Sequence, residues 1–137
     1  MPAVILRSHP WKQLKMLADT ALTVVVDVGG MERGMVFVPL NWGTADIAFL
    51  AAYESDAYRL AEDTAQAATT VPAFALLRDE TGAVVKMTGL VPGCWHLIPT
   101  RALAMKYLQL QSTNVGLTVS TPTNQAEDCD LILAMKS

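Results

Sequence analysis

The chain has 137 residues, of which 52% are hydrophobic and only 17% charged, and its 10 basic and 13 acidic side chains give a formal net charge of −3. This length predicts one domain with its own core, and the apolar content excludes an intrinsically disordered chain. The acidic balance and the lack of a Lys/Arg cluster argue against nucleic-acid binding, because phosphate backbones require concentrated positive charge.

The N-terminus carries one short apolar run, Val4, Ile5 and Leu6, which is too brief for the core of a signal peptide. No window of the sequence approaches the roughly 20 uninterrupted apolar residues of a membrane helix. The sequence therefore predicts a soluble protein, made in the cytoplasm, without a membrane partner. Its two cysteines, Cys94 and Cys129, are expected to be reduced and buried.

The first predicted strand covers residues 23–28 (TVVVDV) and ends at Gly29-Gly30, and a second covers 35–38 (MVFV). Their β-branched content predicts either a hairpin or a strand–loop–strand unit. Alternation along the first strand places Asp27 on the side facing solvent, since a carboxylate in an apolar strand needs water or a partner.

The next two segments are ambiguous. Residues 47–53 alternate as in a strand, although their alanines and the preceding Thr44 would also suit a capped helix. We predict a strand there. Residues 57–70 are rich in helix-forming residues and predict either a short helix or a long loop.

Residues 73–78 and 83–87 predict a hairpin, because Gly82 in the turn between them can adopt positive φ. Further strands are predicted at 95–98, 117–120 and 130–135, and at 106–111, where Tyr107, Leu108 and Leu110 are expected to face the core and Lys106, Gln109 and Gln111 solvent. A helical turn capped by Thr100 is predicted over residues 100–105.

Nine or so short strands separated by turns predict an all-β fold, a single antiparallel β-sandwich resembling a jelly roll. We divide the chain into an N-terminal arm, residues 1–14, and a sandwich domain, residues 15–137.

Catalytic patterns are lacking in the sequence. Neither His9 nor His96 lies in a motif, and no serine has the flanking glycines of a nucleophile elbow. Cys94 and His96 could share one face of a strand, and Cys129 with its neighbouring aspartates could add ligands, but the spacing is not that of a closed zinc site. We therefore predict no enzyme activity, no cofactor and no metal, and rank a metal enzyme last.

Acidic pairs occur at 62–63, 79–80 and 127–128, each in a polar stretch, and are predicted to be solvated turns. The tryptophans Trp11, Trp42 and Trp95 would suit either a sugar-stacking platform or a buried anchor of the core. Trp11 is the expected contact residue of the three, because it follows Pro10 in the predicted arm.

Five segments resemble a group of small virion proteins encoded near the head genes of tailed bacteriophages. They are residues 11–15 (WKQLK), 38–47 (VPLNWGTADI), 76–85 (LLRDETGAVV), 107–112 (YLQLQS) and 122–126 (PTNQA). The resemblance covers most of the chain and departs from the group over residues 57–70, where this chain is longer. It implies a β-sandwich or jelly-roll module that decorates or cements the capsid, often as a trimer.

The resemblance thus implies a non-enzymatic capsid decoration protein on the virion surface, with the major capsid protein and copies of itself, in a homotrimer, as partners. The high apolar content suits such a protein, because its contacts must exclude water. The expected interface residues are Val4, Ile5, Leu6, Trp11 and Trp42, with 4–6 pairing to a neighbouring sheet edge. The alternative function is a carbohydrate-binding or adhesion module of a phage tail or fibre.

Overall fold

The structure, a computed structural model, describes residues 11–52, 74–116 and 120–136. Two segments with predictions, 1–10 and 57–70, lie outside the described residues, as does most of the strand predicted at 117–120. Within the described residues there are nine strands and one 3-10 helix, Thr100–Ala104. The strands are β1 (Trp11–Met16), β2 (Val26–Asp27), β3 (Arg33–Val38), β4 (Asp46–Ala52), β5 (Ala75–Leu76), β6 (Lys86–Met87), β7 (Cys94–Leu97), β8 (Tyr107–Thr113) and β9 (Cys129–Lys136).

The strands form two antiparallel sheets, and the predicted all-β sandwich is confirmed. Sheet 1 has the order β1-β9-β3-β7, and sheet 2 has the order β2-β8-β4-β5, with β6 also pairing with β4. Each sheet alternates strands from the two halves of the chain, as a jelly roll does. The first described strand therefore lies beside the last one.

Apolar side chains from the two inner faces fill the space between the sheets. β4 and β8 supply Ile47, Phe49, Leu108 and Leu110, all fully buried. β1, β3 and β9 supply alternate residues from the other side, because successive side chains of a strand point to opposite faces. The fully buried members from these three strands include Leu14, Met16, Val36, Val38, Leu131 and Leu133.

Six predicted elements are confirmed where the described residues include them, and three of these are the strands at 35–38, 95–98 and 106–111, which correspond to β3, β7 and β8. The ambiguous segment at 47–53 forms β4, and the segment at 130–135 lies in β9. The hairpin at 73–87 has a bridge between Arg78 and Val84, and its turn places Gly82 at φ 86°. Both of its arms then pair with β4, through β5 and β6.

Two local predictions are wrong, and a third, which left a hairpin and a strand–loop–strand unit open, is decided in favour of the second. β2 and β3 do not form a hairpin, since β2 pairs with β8 in sheet 2 whereas β3 lies in sheet 1, so the strand–loop–strand alternative is the correct one. Thr100 does not cap a helix: the 3-10 helix follows Pro99 and has no side-chain cap. Gln111 is buried rather than facing solvent: Leu22 forms an antiparallel bridge with it, and its Oε1 accepts a hydrogen bond from the Ser120 hydroxyl.

The predicted boundary between arm and domain falls inside a strand. Residues Trp11–Met16 form β1, which pairs along its full length with β9, and Leu14 is buried in the core. The part of the predicted arm that the structure describes, residues 11–14, is therefore an edge strand of the sandwich. Val4, Ile5 and Leu6 lie outside the described residues.

Candidate functional site: the outer face of sheet 1

The outer face of sheet 1 is apolar and open to solvent. Register places one row of side chains across four strands, Trp11, Ala134, Met35 and Leu97, and a second row beside it, Gln13, Ile132, Phe37 and Trp95. We call these eight residues the outer apolar face. Trp11 is 65% exposed, Leu97 73%, Trp95 46% and Met35 37%.

The sequences of β3 and β9 explain this face. RGMVFV and DLILAM are nearly continuous apolar runs, so both faces of each strand carry apolar side chains. Alternation sends Val36, Val38, Leu131 and Leu133 to the core and their neighbours outward. A strand with two apolar faces is typical of a sheet that is covered on both sides.

Two local features shape the outer apolar face, an aromatic pair and a depression. The Phe37 and Trp95 ring centroids lie 5.4 Å apart with the ring planes tilted by 60°, within the range of a favourable aromatic pair. In the first row, Met35, Leu97 and Ala134 line a shallow depression of about 260 Å³. Its floor includes Gly34, where a Cβ atom would lie 2.9 Å from the Ile98 side chain.

Charged groups border the apolar rows along the strands. At one end Lys15 lies 3.8 Å from Asp130, and both side chains are half exposed. At the other end Arg33 and Lys136 are paired in register. An apolar centre with a charged, solvated border is the usual anatomy of a protein interface.

The structure places two predicted interface residues, Trp11 and Trp42, in different environments. Trp11 lies on the outer apolar face, whereas Trp42 is buried, with only 5% of its surface exposed, and its Nε1 donates a hydrogen bond to the Ala45 carbonyl. The prediction of Trp42 as a contact residue is therefore wrong: the turn after Pro39 folds the indole into one end of the core. Trp95, predicted only as a sugar-stacking candidate, joins Trp11 on the exposed face.

No family model, curated protein or solved structure matches this chain.

The residues considered as metal ligands are not brought together. His96 Nε2 lies 3.0 Å from the Val91 amide nitrogen, and Cys129 is buried in β9, two strands away from Cys94. Cys94 is exposed, so the prediction that both cysteines are buried is wrong for it. Burial raises the pKa of the Cys129 thiol, and the carboxylates of Glu127, Asp130 and Asp128 add to this effect. Within the described ranges, no group of three His, Cys, Asp or Glu side chains could hold a metal ion.

The acidic pairs that the structure describes lie in turns. Asp79 Oδ1 accepts hydrogen bonds from the Thr81 and Ala83 amides and from the Thr81 hydroxyl, and the Thr81 bonds lower the pKa of the carboxyl group. Glu80 forms an exposed ion pair with Arg101. Glu127 and Asp128 are exposed. In the part of the chain that the structure describes, no helix has the length and apolar content to cross a membrane.

Sequence reasoning missed a buried ion pair on the outer side of sheet 2. The Lys86 ammonium lies 3.5 Å from Asp46 Oδ2, with 2% of each side chain exposed. It also donates hydrogen bonds to the carbonyl oxygens of Asn114 and Gly116, at 2.8 and 2.6 Å. The pair joins residues 40 positions apart, so no local pattern in the sequence could have indicated it.

Most of the outer apolar face was missed as well. Met35, Phe37, Leu97, Ile132 and Ala134 were assigned to strands without any surface role. The available signal was the unbroken apolar run of β9, which predicts that both faces of that strand are covered.

Proposed function

We propose that this protein is a non-enzymatic structural protein that binds other protein subunits through the outer apolar face, and that it decorates the capsid of a tailed bacteriophage. A protein partner is supported by one observation above all, a four-strand sheet face that carries two exposed tryptophans and no charge at its centre. A capsid shell as that partner is supported by the resemblance of the five segments to virion proteins.

The size of the face suits repeated, individually weak contacts. Large side chains have roughly 150–250 Å² of surface each, so the exposed fractions here leave an apolar patch on the order of 500 Å² per copy. Its removal from water contributes about 12 kcal/mol at 25 cal/mol per Å², which is close to the ordering cost of association, about 4–15 kcal/mol. Strong attachment would therefore come from several copies bound at once.

The test uses empty shells assembled from the major capsid protein encoded in the same genome. We expect the purified protein to co-sediment with the shells, and Met35→Glu to weaken binding by about 10–100-fold, because it places a charge at the centre of the face. Leu40→Glu is the matched control, since Leu40 is 83% exposed on a loop outside the face. Failure of the unaltered protein to co-sediment, or equal binding by the two variants, would contradict the proposal.

A carbohydrate-binding module of a tail or fibre is the second candidate, and the exposure of Trp11 and Trp95 on one face favours it. The two tryptophans lie on opposite edge strands and in different rows, so their backbone positions are roughly 16 Å apart, and together they would contact an oligosaccharide rather than one sugar ring. Binding on a glycan array that is lost in Trp11→Ala and Trp95→Ala but kept in Met35→Glu would support this candidate over shell adhesion.

A further inference from the structure

Among the strands that the structure describes, β7 lies at an open edge of sheet 1. Within the described residues it pairs with β3 alone. The Ile98 amide donates to the Gly34 carbonyl, so by the alternation of an antiparallel ladder the main-chain groups of Trp95 and Leu97 point away from β3. Two N–H and two C=O groups, spaced as a further strand requires, therefore face outward beside the two exposed side chains.

The opposite edge of the same sheet is protected. β1 carries Lys12 and Lys15, and lysines on an edge strand oppose pairing with another chain. β7 has the sequence Cys-Trp-His-Leu, without lysine, acidic residue or proline. One edge of sheet 1 is thus blocked against pairing and the other is not.

We propose that β7 pairs antiparallel with β7 of a second copy of this chain, about a two-fold axis at His96. In this register Trp95 exchanges both main-chain hydrogen bonds with Leu97 of the other copy. A register centred on Leu97 would place Pro99, which has no N–H, opposite Trp95. A register centred on Trp95 would use Gly93, whose amide already donates to the Val38 carbonyl.

The pairing joins the two outer apolar faces. A two-fold axis perpendicular to the sheet keeps both faces on the same side, so eight strands present one continuous apolar surface on the order of 1,000 Å². A partner that covered the joined surface would bury on the order of 2,000 Å² counted over both sides, at the upper end of standard interfaces, whereas a single copy would bury about 1,000 Å², at the lower limit. The binding of a capsid shell to this joined surface rests on the proposed function, whereas the pairing of the two β7 strands does not.

The symmetry of the contact fixes the number of copies. The same edge is used on both sides, so the interaction closes at two. The dimer therefore replaces the homotrimer that the sequence resemblance implies. Because only a four-residue strand is shared, we expect association in the micromolar range or weaker.

The first test is molar mass by sedimentation equilibrium, over a concentration series that reaches about 1 mM. We expect a monomer–dimer equilibrium for the unaltered protein and a dissociation constant at least about tenfold higher for Leu97→Lys, which puts a lysine on the open edge. Trp11→Lys, a change on the same face at the opposite edge, should leave the dimer intact. A trimer, a monomer at all concentrations, or equal loss in both variants would overturn the proposal.

The second test determines which residues face each other in the proposed pair of β7 strands. In an antiparallel pair centred on residue 96, the two His96 positions face each other with Cα atoms about 4.5–5.5 Å apart, within the range of a disulfide. We expect Cys94→Ser/His96→Cys to form a covalent dimer on mild oxidation, while the control Cys94→Ser/Lys12→Cys stays monomeric. Cross-linking of both variants, or of neither, would overturn the register even if shell binding is observed. Loss of shell binding with an intact dimer would instead count against the proposed function alone.

Discussion

The outer faces of the two sheets differ in both chemistry and exposure. Sheet 1 presents apolar side chains to solvent, whereas the outer face of sheet 2 holds polar side chains that are buried and hydrogen-bonded. Thr113 donates to the Thr121 carbonyl, and Gln111 accepts from Ser120. Among the described residues, the buried polar side chains of this face all have hydrogen-bond partners, since a buried polar group without one is costly. The outer apolar face of sheet 1 has no such internal partner in the described residues.

The difference shows that, in the part of the chain that the structure describes, the buried polar groups of sheet 2 have their partners within a single copy, whereas the outer apolar face of sheet 1 does not. Burying Asp46 and Lys86 together requires the Asn114 and Gly116 carbonyls, all supplied by the same chain. The outer apolar face needs only another apolar surface, and a second molecule can supply one. A patch of this size is at the upper end of what monomers leave exposed.

The largest expected effect comes from opening the polar cluster of sheet 2. Lys86→Met leaves the Asp46 carboxylate buried without its cation, and should lower the free energy of unfolding by about 4 kcal/mol. Urea denaturation measures the change. Asp46→Asn/Lys86→Met removes both charges and should recover most of the loss, since the asparagine oxygen can still accept from the Gly116 amide. Equal stability of the single and double variants would contradict this account.

Trp11 and Trp42, both predicted from the sequence as contact residues, should differ sharply in how much their replacement lowers the free energy of unfolding. Trp42→Ala removes a buried indole from the core and should lower the free energy of unfolding by about 3 kcal/mol. Trp11→Ala, at an exposed position on the outer apolar face, should change it by less than about 0.5 kcal/mol. Chemical denaturation of both variants under one condition checks the contrast, and a similar cost in the two would mean that Trp11 is not a surface residue.

The same change, alanine to valine, can be made on the outer faces of both sheets. Ala48 lies on the outer face of sheet 2 and is fully buried, whereas Ala134 lies half-buried on that of sheet 1. Ala48→Val should cost about 2 kcal/mol through overpacking, while Ala134→Val should be neutral within about 0.5 kcal/mol. Thermal unfolding of the pair measures the difference. If both variants lose stability equally, the two faces are covered to the same extent.

The smallest effect concerns the turn of the hairpin that pairs with sheet 2. Hydrogen bonds from Thr81 hold the pKa of Asp79 below its ordinary value of 3.8. Since the folded pKa is the lower one, the ionised carboxylate contributes stability above pH 3.8, and this contribution is lost as the pH falls through the folded pKa. Asp79→Asn does not titrate, so the stability advantage of the unaltered protein over this variant should shrink on acidification. A difference that is constant from about pH 6 to about pH 2.5 would contradict this.

Local features were predictable because local chemistry fixes them. Gly82 in a polar turn between two apolar runs indicates a hairpin, and β-branched residues before Gly29 indicate a strand. Asp27 is exposed, as its place in an alternating strand predicts. These features depend on neighbours within a few residues, which the sequence displays directly.

The sequence by itself therefore determined most of the strands after β1, the Gly82 hairpin turn and the sandwich class, whereas β1 was predicted as an arm. Only the tertiary structure decided that β2 pairs with β8, that Trp42 is buried while Trp11 is exposed, and that Asp46 meets Lys86. It also decided that seven apolar side chains from four distant strands share one open face. Pairing between strands joins segments far apart in the chain, and which face of a strand is covered depends on what packs against it, so neither can be derived from the order of residues alone.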